Sequence, residues 1–197
     1  MMKKKISSDI QKLEHAIRKQ KMKLAALRRK APKEPVEDFV LIDTYGKPIV
    51  FSDLFDGRDE LILVHNMGAH CEFCTLWADG FNGQLRHLEK RAAFVVESPD
   101  DPAKQRQFAA DRGWGFRMVS SKGSPFRQAM GFSDGKGRLT PAISCFTRDS
   151  EGRIFRVSKT QLGPGDNYCA FWDLLDLLPA PQAKFYSEVD YYYSEKR

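Results

Sequence analysis

Long apolar runs are missing from this chain of 197 residues. No stretch approaches the roughly 20 consecutive apolar residues that cross a bilayer as a helix, so no membrane span is expected. The opening MMKKKISSDIQKLE is basic but has no apolar stretch behind it. That argues against a secretory signal and for the cytoplasm. Cysteine is scarce, at four residues. In a reducing compartment four thiols argue against a disulfide framework, leaving chemistry, metal binding or plain burial. Neither G-x-x-x-x-G-K-[ST] nor a strand-linked G-x-G-x-x-G is present, which removes the commonest phosphate cradles. There is no internal repeat, no low-complexity tract, and nothing that assembles a Ser-His-Asp set.

What is present reads as an ordinary globular protein, 42% hydrophobic and 29% charged. The net charge of +6 is unevenly spread. Residues 1–34 carry 12 Lys and Arg against Asp9, Glu14 and Glu34, a local +9 that leaves the remainder at −3. Any argument for a polyanion or a membrane surface therefore rests on that segment alone. Residues 8–30 read as one basic helix with Ile10, Leu13, Ile17, Leu24 and Leu27 at helical spacing and Gln20 interrupting the stripe. Its narrow apolar seam is expected to pack on the domain or on a second copy of itself, a homodimer. Nucleic acid is the weaker reading, because charge runs are usually solvated faces. APKEP, residues 31–35, ends the helix.

From Phe39 the pattern changes to strands. DFVLIDTYGKPIVF is a hairpin around YGK, and LILVHNM (61–67) is a strand buried on both faces. A helix from about Glu72 to Lys90, a strand AAFVVES, a helix opening at DDP, a strand FRMVSS and a short helix near Phe126–Met130 follow. That β-α-β-α-β order implies parallel strands with right-handed crossovers. PAISCFTRD and IFRVS form an antiparallel hairpin, and Asp166 or Asn167 is placed to cap the last helix, whose apolar face holds Phe171, Leu174, Leu175 and Leu178. Three segments result: a basic arm (1–34), an α/β domain (35–181) and a Tyr-rich tail (182–197).

Cys71 and Cys74 stand where the buried strand gives way to the helix. Read as a redox couple, they occupy a helix start whose unpaired N–H groups and dipole stabilise a thiolate. Cys71 would be exposed and nucleophilic, and Cys74, one turn in, would resolve the mixed disulfide. Read as zinc ligands, they need two more, and Cys145 and Cys169 form no second CxxC. Read as small hydrophobes, two thiols three apart at this junction are poorly explained, although burial suits Cys145 and Cys169. His65 and His70 are expected to point in different directions, and Trp77 to pack in the core.

The order of strand, CxxC at a helix start, βα units, a loop ending in Thr140-Pro141, a hairpin and a last helix resembles the thioredoxin fold. The segment VEDFVLIDTYGKPIVFSDLFDGRDELILV resembles the opening of the alkyl hydroperoxide reductase and thiol-specific antioxidant branch. RRKAP, LFDGRDELILVHNM, DRGWGFRMVSSKGSPF and GPGDNYCAFWDLLDLLP are similar to a bacterial thioredoxin-like family called a domain of unknown function (family 899). The resemblance implies a three-layer α/β/α fold with a mixed central sheet, an added N-terminal β-hairpin and the preceding basic helix. It further implies a cis peptide at Thr140-Pro141 facing the cysteines, with Thr140 free to pair with an extended substrate. Phe73 would add apolar surface for a partner. Departures count as well: the proline and threonine that peroxiredoxins place seven and three residues before the reactive cysteine are absent, where Val64 and Gly68 stand. Glu72 beside Cys71 would oppose its thiolate. The expected function is a thiol–disulfide oxidoreductase acting on a protein or small-molecule disulfide or thiol. It needs no organic cofactor and takes electrons from an external reductant. A thiol peroxidase, or a binding and assembly module without turnover, are the alternatives.

Overall fold

The computed structural model describes the chain from residue 2 to residue 179, with side chains from residue 5. The tail expected over 182–197 lies outside the described residues. The continuous apolar runs become the centre of one sheet. β4 (Glu60–His65) pairs in parallel with β5 (Ala93–Ser98), and β5 with β6 (Arg117–Ser120). The crossovers are α2 (Glu72–Leu88) and α3 (Pro102–Arg112), in the order expected. All six residues of β5 are buried, so both faces of the sheet must be covered at this point.

Antiparallel pairs extend the sheet on either side. The hairpin of β7 (Ala142–Arg148) and β8 (Ile154–Gln161) lies against β4. The hairpin of β2 (Val40–Asp43) and β3 (Pro48–Val50) joins β6. A short strand not anticipated from APKEP, β1 (Glu34–Val36), pairs with β8 and completes the order β1-β8-β7-β4-β5-β6-β2-β3. Pro35 is tolerated because β1 is an edge. The pairing of Glu34 with the buried Arg156, which also donates to the Met130 carbonyl at 2.8 Å, ties that edge down.

Alternation along the strands divides two cores. Leu61, Leu63, Val95, Val119 and Phe146 face the 3-10 helix Phe51–Phe55 and α4 (Phe126–Ala129). Val64, Phe94, Val96, Met118 and Ile143 share the other face with Trp77 and Phe81 of α2 and Trp172 of α5 (Ala170–Leu175). Each such side chain contributes about 1.5–3 kcal/mol on burial.

Helix ends follow their local chemistry in one case and not in another. Asp101 caps α3 by accepting from the Ala103 N–H at 3.0 Å, with Pro102 in the first turn and Gly113 left-handed after the last. Asp166 does not cap α5. It accepts from Tyr168 and Gly163 N–H groups, organising its own loop, and Cys169 takes the cap position. The apolar face expected for this helix is also corrected: Leu174 and Leu178 are exposed while Trp172 is 1% exposed. The helix is short, and only the side turned to α2 meets the core. α1 spans Met2–Lys30, longer than the expected 8–30. Among the described residues it touches the body near its C-terminal end, where Ala25, Ala26 and Arg28 are half-buried and Arg28 donates to the Tyr168 hydroxyl at 2.8 Å. No described helix is long and apolar enough to cross a membrane.

Candidate active site

A five-residue connection, 66–70, carries the chain from β4 into α2. Asn66 begins it by donating its N–H to the Glu97 carbonyl at 2.8 Å and accepting the Gly68 N–H on its side-chain oxygen at 2.7 Å. Asp100 closes it from the next loop, accepting the Ala69 N–H at 2.6 Å. Gly68 sits at φ +114°, and a Cβ there would lie 2.8 Å from the Asp100 carboxylate. Glycine is therefore required where the two loops meet.

This connection delivers Cys71 to the N-cap of α2 with extended backbone, φ −97° and ψ 103°. Its sulfur does what a serine hydroxyl does at such a position: it accepts the Cys74 N–H, at 3.1 Å. The Met67 N–H donates to the Cys74 sulfur at 3.5 Å. Both thiols are free, and the pair lies within hydrogen-bonding reach. The hydrogen bond from Cys74 pulls the Cys71 thiol below its ordinary pKa against the effect of burial. The Cys74 and Phe73 N–H groups assist, and Glu72 opposes with the smallest of these contributions. Cys74 moves the other way, because its proton is held by the Cys71 sulfur in a buried site. The two thiols are therefore unequal, Cys71 the more readily ionised and Cys74 the less.

One expectation is corrected: Cys71 is not exposed. It is 7% accessible and Cys74 2%, because the capping bond turns the Cys71 sulfur inward, into the core cluster that holds Trp77. Trp77 is buried as expected. Phe73 is half-buried, with its ring 6.3 Å from Trp77 and 6.1 Å from Trp172.

Thr140 and Pro141 arrive at the same end of the sheet, since Ala142 opposite His65 begins the β7–β4 pairing. The cis peptide implied by the resemblance is absent: every described peptide bond is trans. Nor is the backbone of Thr140 free for a substrate. Its N–H donates to the Phe132 carbonyl at 3.0 Å, and its carbonyl accepts from Arg127 at 3.4 Å. Trans is the lower-energy isomer of an X-Pro bond, and here it leaves these two groups paired internally.

Behind the cysteines lies a buried polar network that sequence reasoning missed. Glu97, at the end of β5, is fully buried. One carboxylate oxygen meets His65 Nδ1 at 3.0 Å; the other meets the Ser121 hydroxyl and Arg127 Nη1, the latter at 3.4 Å. His65 Nε2 lies 3.0 Å from the Ser144 hydroxyl, and the imidazole stacks on Phe126. Burial presses the His65 pKa down and outweighs the pull of Glu97, so the ring is neutral, donating from Nδ1 and accepting from Ser144. Burial pushes the Glu97 pKa up, but Arg127, His65 and Ser121 overcome it and hold the carboxyl below its ordinary value. Arg127 also donates to the Asn66 carbonyl at 2.5 Å. The N–H of that same peptide unit, on Met67, is the one aimed at Cys74. The guanidinium charge therefore reaches the Cys74 sulfur through one polarised peptide and favours its ionised form. A histidine and a glutamate closing two otherwise apolar strands were the available signal. His70 is exposed while His65 is fully buried. Cys145 is half-buried and Cys169 buried. Among the described residues no group of three His, Cys, Asp or Glu gathers as a metal site.

Solved structures with this arrangement of elements include peroxiredoxins. Peroxidoxin BcpB from Mycobacterium tuberculosis matches at 24% identity and a TM-score of 0.53, over 66% of this chain and 84% of its own. PrxQ from Xylella fastidiosa matches at 15% and 0.56, over 80% and 98%. Reduced Prx3 from Vibrio vulnificus, solved with hydrogen peroxide, matches at 16% and 0.54, over 75% and 99%. At these identities the likeness shows the fold, the thioredoxin fold in its peroxiredoxin form. No curated protein matches the sequence. The model that describes this sequence directly covers residues 5–193, and by it the chain belongs to the family described as bacterial protein of unknown function (DUF899).

Proposed function

We infer that the chain is a thiol–disulfide oxidoreductase on a three-layer thioredoxin-like frame, with Cys71 as nucleophile and Cys74 as resolving thiol. The observation that carries it is the Cys74 N–H donating to the Cys71 sulfur at 3.1 Å, which holds the two thiols together at the start of α2. Two sulfurs so placed can form a bond with little backbone movement. The Cys71 thiolate attacks a substrate disulfide, forming a mixed disulfide and expelling one substrate thiolate. Cys74 then gives up its proton and attacks the Cys71 sulfur, expelling the second thiolate and leaving a Cys71–Cys74 disulfide. Two electrons pass to the substrate, and an external dithiol restores the pair. Phe73 is the apolar contact for the substrate. Thr140-Pro141 would contribute side chains rather than backbone.

The low exposure of Cys71 favours one second reading, a thiol peroxidase, because a small oxidant reaches a recessed sulfur more easily than a protein does. The Cys71 thiolate would attack the distal oxygen of a hydroperoxide, releasing an alcohol or water and becoming a sulfenic acid. Cys74 would condense with it, releasing water and forming the same disulfide. The relatives' peroxiredoxin form agrees with this, while the absent proline and threonine count against it.

Reduction of insulin by dithiothreitol is to be measured for wild type, Cys71→Ser and Cys74→Ser, and peroxide consumption alongside. Acceleration by wild type that Cys71→Ser abolishes supports the first reading, and peroxide loss on the same pattern supports the second. Equal rates for wild type and Cys71→Ser in both assays leave a binding module without turnover.

A further inference from the structure

Among the described residues, α1 leaves an apolar stripe uncovered. Residues 5–24 are all exposed, a helix of roughly 30 Å at 1.5 Å per residue, standing clear of the body. Ile6, Ile10, Leu13, Ile17, Leu24 and Leu27 are between 42% and 65% exposed. Most helical stability in proteins comes from packing of an apolar face rather than from propensity, so a helix standing this clear needs a partner for its stripe. With Gln20 included, the stripe falls at residues 6, 10, 13, 17, 20, 24 and 27, alternating steps of four and three. This is the a/d repeat of a coiled coil, with Ile10, Ile17 and Leu24 at a, and Ile6, Leu13, Gln20 and Leu27 at d.

The flanking charges select the occupant and its direction. The e positions are Ser7, Glu14, Lys21 and Arg28; the g positions are Asp9, Ala16, Lys23 and Lys30. In a parallel pair, g meets the e position five residues on in the partner. That sets Asp9 against Glu14 and Lys23 against Arg28, both repulsive. In an antiparallel pair, e meets e and g meets g. Aligning Ile10 with the partner's Leu27, Leu13 with the partner's Leu24 and Ile17 with the partner's Gln20 then brings Glu14 to the partner's Lys21 and Asp9 to the partner's Lys30. The two-fold repeats each contact, so four opposite-charge pairs form and no like-charge pair does. The remaining flanking positions oppose Ser7 to Arg28 and Ala16 to Lys23, which are neutral. Gln20 from each copy falls one layer from the axis, where the amides can pair and set the register.

We propose that a second copy of this chain docks on α1 as an antiparallel two-stranded coiled coil in this register, making the protein a homodimer whose redox centres lie outside the interface. The dimer is independent of the redox reading.

The full chain at tens of micromolar is the material for sedimentation velocity. Wild type should be a dimer, and Leu13→Asp a monomer with the urea midpoint of the body unchanged. Glu14→Lys and Lys21→Glu should each weaken the dimer about tenfold, since each turns two attractive flanking pairs repulsive. The double variant should recover affinity to within about threefold of wild type, because the charges are exchanged and the pairs restored. Parallel pairing gives the opposite result: Glu14→Lys tightens the dimer by meeting the partner's Asp9, and Lys21→Glu, facing the partner's Ala16, does nothing. Either of those outcomes overturns the proposal. So does a wild-type monomer, including one that binds duplex nucleic acid or anionic phospholipid vesicles through α1, and so does a Leu13→Asp dimer.

Discussion

Replacing Arg127 with methionine tests whether the charge network beneath the cysteines is held together as the geometry implies. Arg127 is 4% exposed and reaches the carbonyls of Asn66, Phe132 and Thr140 as well as Glu97. Methionine keeps much of the volume but leaves the fully buried Glu97 carboxylate without its cation. Removing one partner from a buried ion pair costs about 3–5 kcal/mol, because the charge left behind is uncompensated. At a urea slope of about 2 kcal/mol per molar, the midpoint should fall by roughly 2 M. Tryptophan fluorescence at equilibrium in urea reads this directly. The loss should also depend on pH with a definite sign. In wild type the Glu97 pKa lies below the ordinary carboxyl value, so its contribution is present above that value and lost as pH falls through the folded pKa. In Arg127→Met burial prevails and the folded pKa rises above the unfolded value of about 4.3. The variant then gains stability as it takes up a proton, and its deficit should narrow between pH 8 and pH 5. A deficit below about 1 kcal/mol, or one that is the same at both pH values, refutes the reasoning. Glu97→Gln should be destabilising as well, and the double variant should cost less than the two singles together.

Other consequences follow from the cysteine loop and the cores. Cys74→Ala removes the largest influence lowering the Cys71 pKa, so the pH midpoint of Cys71 alkylation by iodoacetamide should move up; an unmoved midpoint after subtraction of a Cys71→Ala control contradicts the thiol–thiolate bond. Gly68→Ala forces a left-handed backbone on an L side chain and presses on Asp100, and should lower stability by about 1–3 kcal/mol with loss of Cys71 reactivity, read by urea unfolding and alkylation rate. Trp172→Ala opens a cavity beside Phe73 and should cost about 3–5 kcal/mol, with a melting temperature near wild type excluding a core role for α5. Glu34→Gln should cost no more than about 1 kcal/mol, since Glu34 is half exposed; a larger loss would mean that β1 anchors more of the sheet than its three residues imply.

Local chemistry was legible where it stood in consecutive residues. The buried runs around Leu63 and Val95 read as interior strands, and Asp101-Pro102 reads as a helix start, and the structure has both. The CxxC pair was legible at the junction of strand and helix, and the structure holds its two thiols close together at the start of α2. Thr140-Pro141 was assigned a cis bond through likeness alone, and the structure has it trans with its backbone engaged. The short pairing of β1 escaped notice because three residues around a proline carry no periodicity.

Composition, spacing and the run of apolar residues by themselves determined the β-α-β-α-β frame, the basic arm and the placement of two thiols at a helix start. These depend on interactions within a few residues, which the order of the chain dictates. The tertiary structure alone decided that Cys71 is recessed, and that His65, Glu97 and Arg127, more than 60 residues apart at their extremes, meet behind it. Burial and long-range charge are properties of what folds against a residue, and no stretch of neighbours encodes them.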